Sequence, residues 1–89
     1  MKIATEKWVI ENSSKINIID VRSKEEFQSG HINNSKNIPL AGILLNSDSL
    51  LNKETEYYLI CKTGFRSMQA YNHLSKKGYK VVQVDMNKK

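Results

Sequence analysis

The sequence predicts an α/β domain in which a parallel sheet is flanked by helices in three layers, and three observations carry the prediction. Ile16 to Val21 (INIIDV) and Tyr57 to Cys61 (YYLIC) are short apolar runs of β-branched and aromatic residues, the pattern of strands buried on both faces. Between YYLIC and a third such run, Tyr79 to Val84, the stretch Arg66 to Lys77 spaces Met68, Tyr71 and Leu74 by three with Ala70 beside them, a helical stripe. Strands that alternate with helices in so short a chain pair in parallel through helical crossovers.

The elements follow in order. Thr5 is placed to cap a first helix from Glu6 to Asn12, with Trp8 and Val9 on its buried side, and Asn12-Ser13-Ser14 breaks it. After the INIIDV strand, Ser23-Lys24-Glu25-Glu26 is a capping box, and Gly30 stands where so short a helix stops. Asn37-Ile38-Pro39-Leu40 is extended, because the residue before proline is pushed out of the helical region. Residues 41 to 53 interleave Leu44, Leu45, Leu50 and Leu51 with Asn, Ser and Asp, a short helix plus loop. The helix Arg66 to Lys77 ends on two lysines and Gly78, the chemistry of a helix C-terminus. Trp8, Tyr57 and Tyr71 read as core or half-buried packing, and His73 as surface.

A chain of 89 residues supports one modest core, burying about 64% of its unfolded surface, so residues 1–89 are expected to form a single domain. With four glycines and one proline it belongs to neither collagen-like nor disordered classes. No apolar run approaches the roughly 18 to 20 residues of a membrane span. The start, MKIATEKWVIEN, lacks the apolar stretch and small residues of a secretory signal, so a cytoplasmic location is expected. The net charge is +5, but twelve of the fourteen cations are lysines scattered along the chain, the signature of a solvated surface rather than of a nucleic-acid footprint.

The chemistry concentrates at the single cysteine. One cysteine forms no internal disulfide and builds no zinc site alone. Ligands of open parallel sheets bind beyond the carboxyl ends of the strands, and YYLIC delivers Cys61 to that edge. Lys62-Thr63-Gly64-Phe65 turns the chain, and Arg66-Ser67 opens the next helix. A thiol there meets the positive end of the helix dipole and a row of unpaired N–H groups, both of which favour thiolate. Gly64 is free to take positive φ, so successive N–H groups turn inward as an anion nest.

Four segments resemble the successive signatures of the single-domain rhodaneses in order and spacing, and the likeness runs from about Ile16 to Val84. They are Asp20-Val21-Arg22; Glu26-Phe27 with Gly30-His31-Ile32; Asn37-Ile38-Pro39-Leu40; and Cys61-Lys62-Thr63-Gly64-Phe65-Arg66-Ser67. The resemblance implies a rhodanese-type fold with a five-stranded parallel sheet and transfer of sulfane sulfur from thiosulfate or a related anionic donor to a thiol or cyanide. It also implies that Cys61 is the sulfur-carrying nucleophile, and that residues 62 to 66 cradle its persulfide without metal or organic cofactor. Where family members continue with a Gly-Gly turn and a Trp-bearing helix, this chain has Val84-Asp85-Met86-Asn87 and two lysines, so the C-terminal helix is expected to be absent.

The remaining site candidates carry supporting roles. Lys62 is expected to meet the anionic donor. Arg66 either meets an anion or, as favoured, anchors the loop on Asp20 or Glu26. Asp20 and Arg22 organise loops at the end of a buried strand, and His31 makes a structural hydrogen bond near the site. Two rivals share the thiolate: a sulfur-relay module serving a partner protein, and a cysteine-dependent phosphatase or arsenate reductase. The latter class typically places five residues between Cys and Arg, whereas four separate Cys61 from Arg66, a ring better sized for one sulfur atom than for a phosphoryl group.

Overall fold

The computed structural model describes residues 1–86. Five strands and four helices alternate: β1 (Ile3–Thr5), α1 (Glu6–Glu11), β2 (Asn17–Asp20), α2 (Lys24–Gln28), β3 (Ser35–Asn37), α3 (Leu40–Leu50), β4 (Glu56–Ile60), α4 (Phe65–Lys76) and β5 (Lys80–Asp85). The strands form one sheet in the order β1-β5-β4-β2-β3, and every pair is parallel. β4 therefore lies at the centre, with β5 on one side and β2 on the other. Among the described residues no helix follows β5, and no helix is long and apolar enough to cross a membrane.

Each face of the sheet has its own core. On one side Ile19, Leu59 and Val81 pack under Ile43 of α3 and Ala70 and Leu74 of α4. On the other, Ile18, Tyr58, Ile60, Val82 and Val84 pack around Val9 of α1 and Ile32. Successive strand residues point to opposite faces, so the runs Ile18-Ile19 and Leu59-Ile60 each serve both cores. The capping signals act where the sequence places them. Thr5 accepts the Trp8 N–H, and Ser23 and Glu26 close a reciprocal capping box on α2.

Several expectations are corrected. The N-terminal strand β1 carries no long apolar pattern; it exists because Ile3–Thr5 pairs with Gln83–Asp85 at the sheet edge. Trp8 lies outside the core, 43% exposed and stacked on the Tyr58 ring, because a six-residue helix has room for one core residue, Val9, against the sheet. The segment after Pro39 is helical through Leu50, with a kink where Asn46 leaves helical geometry, which is why its leucines follow no single period. On α4 the deeply buried positions are Ser67, Ala70 and Leu74, with Met68 and Tyr71 half-buried beside them. His73 is half-buried rather than on the surface, and its Nε2 is buried without a partner among the described residues.

Leu74 anchors α4 to the sheet from inside the core, with no exposed surface. Leu74→Ala is expected to destabilise the fold by about 2–5 kcal/mol, through lost transfer energy and the cavity left behind. Urea unfolding of the purified variant checks it.

Candidate active site

β4 ends at Ile60, and the next residue, Cys61, is 2% exposed at the carboxyl edge of the central strand. The chain then turns through Lys62 to Gly64 into α4. Gly64 is the N-cap of α4, in the left-handed region at φ +91°, and supplies no capping side chain. The Cys61 sulfur takes that place. Gly64 N donates to Sγ at 3.0 Å and Ser67 N at 3.3 Å, so N–H groups left unpaired by the helix start converge on one atom. The thiol in turn donates to Ser67 Oγ at 3.5 Å, and that hydroxyl donates to the Gly64 carbonyl at 3.1 Å.

Two effects oppose one another at the thiol. Burial pushes its pKa up, because the charged form loses hydration. The Ser67 hydroxyl and the N–H groups of Ser67, Gly64 and Arg66 favour thiolate, and together they bring the thiol below its ordinary value. The site is thus preorganised for negative charge by hydrogen-bond donors at the helix start, with the Arg66 guanidinium also attracting the ionised sulfur.

The two arginines are struts. Arg66 forks onto Glu26, with Nη1 2.7 Å from Oε1 and Nη2 2.9 Å from Oε2, tying the first turn of α4 to α2. Arg22 grips the fully buried Asp20 through Nε and Nη2, and Nη2 also donates to the Gly30 carbonyl at 2.7 Å. Of the two carboxylates open to Arg66 from the sequence, the structure selects Glu26. His31 donates from Nδ1 to the Phe27 carbonyl at 2.8 Å and stacks on the Phe27 ring, a structural arrangement at the rim.

A cavity of about 450 Å³ opens beside Cys61, walled by Arg22, Gly30, His31, Ile60 and Lys62, with Glu6, Ile32 and Met86 completing it. Lys62 is exposed there and holds no ion pair among the described residues. Thr63 is exposed, its hydroxyl accepting the Phe65 N–H at 3.4 Å, and the Phe65 ring stands 72% exposed beside the loop. Two neighbours went unweighed in the sequence. Ser67 occupies the third helical position, where a serine hydroxyl reaches back toward the cap, and that position was the available signal. Asn37 bridges the Asp20 and Arg22 carbonyls at 3.0 and 2.9 Å across seventeen and fifteen residues, a clamp no local pattern reveals.

The rhodanese-like domain family model matches residues 5–85. The chain belongs to the rhodanese-like domain family. A rhodanese-like domain protein of known structure from Staphylococcus aureus is 34% identical and superposes with a TM-score of 0.85, covering 96% of this chain and 85% of that one. The Bacillus subtilis protein YtwF is 35% identical over 79 residues, 89% of this chain and 76% of its own length. The adenylyltransferase and sulfurtransferase uba4 of Ogataea parapolymorpha is 44% identical over 63 residues, 70% of this chain but 16% of its own length. The rhodanese-like chain likewise spans less than half the length of other curated relatives.

The Arg66–Glu26 strut makes a pH-dependent prediction. Arg66, with the Ser23 N–H behind it, lowers the Glu26 carboxyl to about 2 from its ordinary 4.5. A depressed carboxylate contributes stability that is fully present above its unfolded pKa and is lost as pH falls through that window. The melting temperature of wild type should therefore drop more steeply than that of Glu26→Gln as pH falls from about 4.5 toward 2, and Glu26→Gln should melt lower at pH 7.

Proposed function

We propose that this chain is a sulfurtransferase that carries sulfane sulfur as a persulfide on Cys61. The observation that carries the reading is the pair of backbone N–H groups, Gly64 and Ser67, aimed at a buried sulfur at the start of α4. The Cys61 thiolate attacks the outer sulfur of thiosulfate. Its electron pair forms the new S–S bond, the old S–S bond breaks, and sulfite leaves with that pair. A cyanide or thiolate acceptor then attacks the terminal sulfur and Cys61 departs as thiolate, restoring the starting state. Preorganised donors around the sulfur stabilise the anionic forms at both steps.

The role of Lys62 follows from where the other cations are. Arg22 and Arg66 are both committed to carboxylates, so among the described residues Lys62 at the cavity rim is the lining cation left to draw in an anionic donor. The same commitment speaks against phosphate chemistry, in which an arginine grips the oxyanion. The word sulfurtransferase in the name of the Ogataea relative supports the reaction class. A second reading, relay of the persulfide sulfur to a partner protein, is favoured by the exposed Phe65 ring, an apolar contact beside the loop that a small anion does not use. The scheme itself requires no metal or organic cofactor.

Intact mass measures the reaction directly. Brief incubation with thiosulfate should add one sulfur to wild type, cyanide should remove it, and Cys61→Ser should do neither; unchanged turnover in Cys61→Ser would end the reading. Lys62→Ala should raise KM for thiosulfate, more at low than at high salt, with kcat little changed. Steady-state kinetics at two ionic strengths separates this capture role from action in the transition state, which would lower kcat instead.

A further inference from the structure

The Gly64 carbonyl is held from three directions. Met68 N donates at 3.0 Å, Ser67 Oγ at 3.1 Å, and the Nε2 of Gln83 at 3.2 Å from across the sheet. Gln83 sits within β5 between Val82 and Val84, 6% exposed. Its other amide atom, Oε1, is buried with no partner among the described residues. An unsatisfied buried acceptor is unfavourable, so an apolar side chain of the same length suits this core position better on stability grounds.

The hydrogen-bond chain around Cys61 supplies the reason for an amide. While the thiol keeps its proton, it donates to Ser67 Oγ, and the hydroxyl donates onward to Gly64. Once the sulfur is ionised it has no proton to give and seeks donors. The Ser67 hydroxyl meets that need only by turning away from the Gly64 carbonyl. We infer that Gln83 is a positioning residue for the Cys61 reaction: its amide holds the Gly64 carbonyl, so that the Ser67 hydroxyl is released to the ionised sulfur while the Gly64 N–H stays aimed at it. The inference rests on Cys61 being the reacting group of the proposed sulfur transfer.

Gln83→Met and Gln83→Leu test it, read by the pH dependence of iodoacetamide alkylation of Cys61 and by thermal melting. Either variant should raise the apparent pKa of alkylation by about 0.5–1 pH unit, a three- to tenfold smaller thiolate fraction below that pKa. It should still melt cooperatively, at or above the wild-type temperature. Arg22, Arg66, Lys62, His31 and Glu6 are the same in wild type and variants, so the shift reports the loop alone. In a Ser67→Ala background the same Gln83→Met change should move the pKa by less than half as much, because no hydroxyl remains to be released. A wild-type pKa in a folded variant, an equal shift in both backgrounds, or loss of cooperative melting in both variants overturns the assignment. Alkylation needs no sulfur donor, so this failure is distinct from failure to take up sulfur from thiosulfate.

Discussion

The N-terminus of α4 has no side chain of its own to close it, and the Cys61 sulfur closes it instead. Much of the site follows from that substitution. A capping atom must lie where the N–H groups of the first turn converge, which fixes the loop from Cys61 to Gly64 to a short arc. Gly64 must then adopt positive φ, which other residues adopt only with strain. The capping atom is also a thiol, so the geometry that completes the helix simultaneously stabilises negative charge on sulfur. Helix closure and the lowered pKa of the Cys61 thiol come from one set of contacts.

The rest of the carboxyl edge is braced around this loop. Arg66 leaves α4 one residue before Ser67 and forks onto Glu26, the same residue that caps its own helix with Ser23. Arg22 joins the end of β2 to Gly30, and Asn37 ties the β3 end back to the same segment. The two scarce guanidiniums therefore serve as planar, two-pronged braces, a geometry lysine cannot supply. Among the described residues, the charges on the cavity wall are then Glu6, the paired Arg22, and Lys62, which stands outside any ion pair among them. Under the proposed sulfur transfer, such a division suits an anionic donor whose remnant must leave again, since a bidentate arginine clamp would retain it.

Against this frame, the sheet order explains why the site stands at β4. The central strand delivers Cys61 at its end between β5, which contributes Gln83, and β2, which contributes Asp20 with Arg22 just beyond its last residue. Residues distant in sequence meet because parallel strands deliver their carboxyl ends to one edge. α3 and α4 cover one face of the sheet; on the other, Val9 of α1 is the buried helical residue among those described, and the exposed Trp8 stacks on the buried Tyr58 ring.

Local patterns were enough to read much of the chain. The β-branched runs became β2, β4 and β5; the Ser23–Glu26 box and the Thr5 cap formed as spelled; and the lone cysteine before Lys-Thr-Gly marked the loop, because strand burial, capping and turn chemistry act over a few residues. What the sequence could not supply was every relation set across the sheet. It did not show β1, three residues made a strand only by their partner. It left Arg66 open between Asp20 and Glu26, since both lie within reach until α2 is placed. It gave no sign of the clamp at Asn37 or of Gln83 beneath Gly64, because a polar residue in a strand reads alike whether it faces water or a carbonyl. The sequence by itself singled out Cys61 and the loop that wraps its sulfur; tertiary structure decided which distant side chains hold that loop still, because those contacts exist only when separate strands are brought to a common edge.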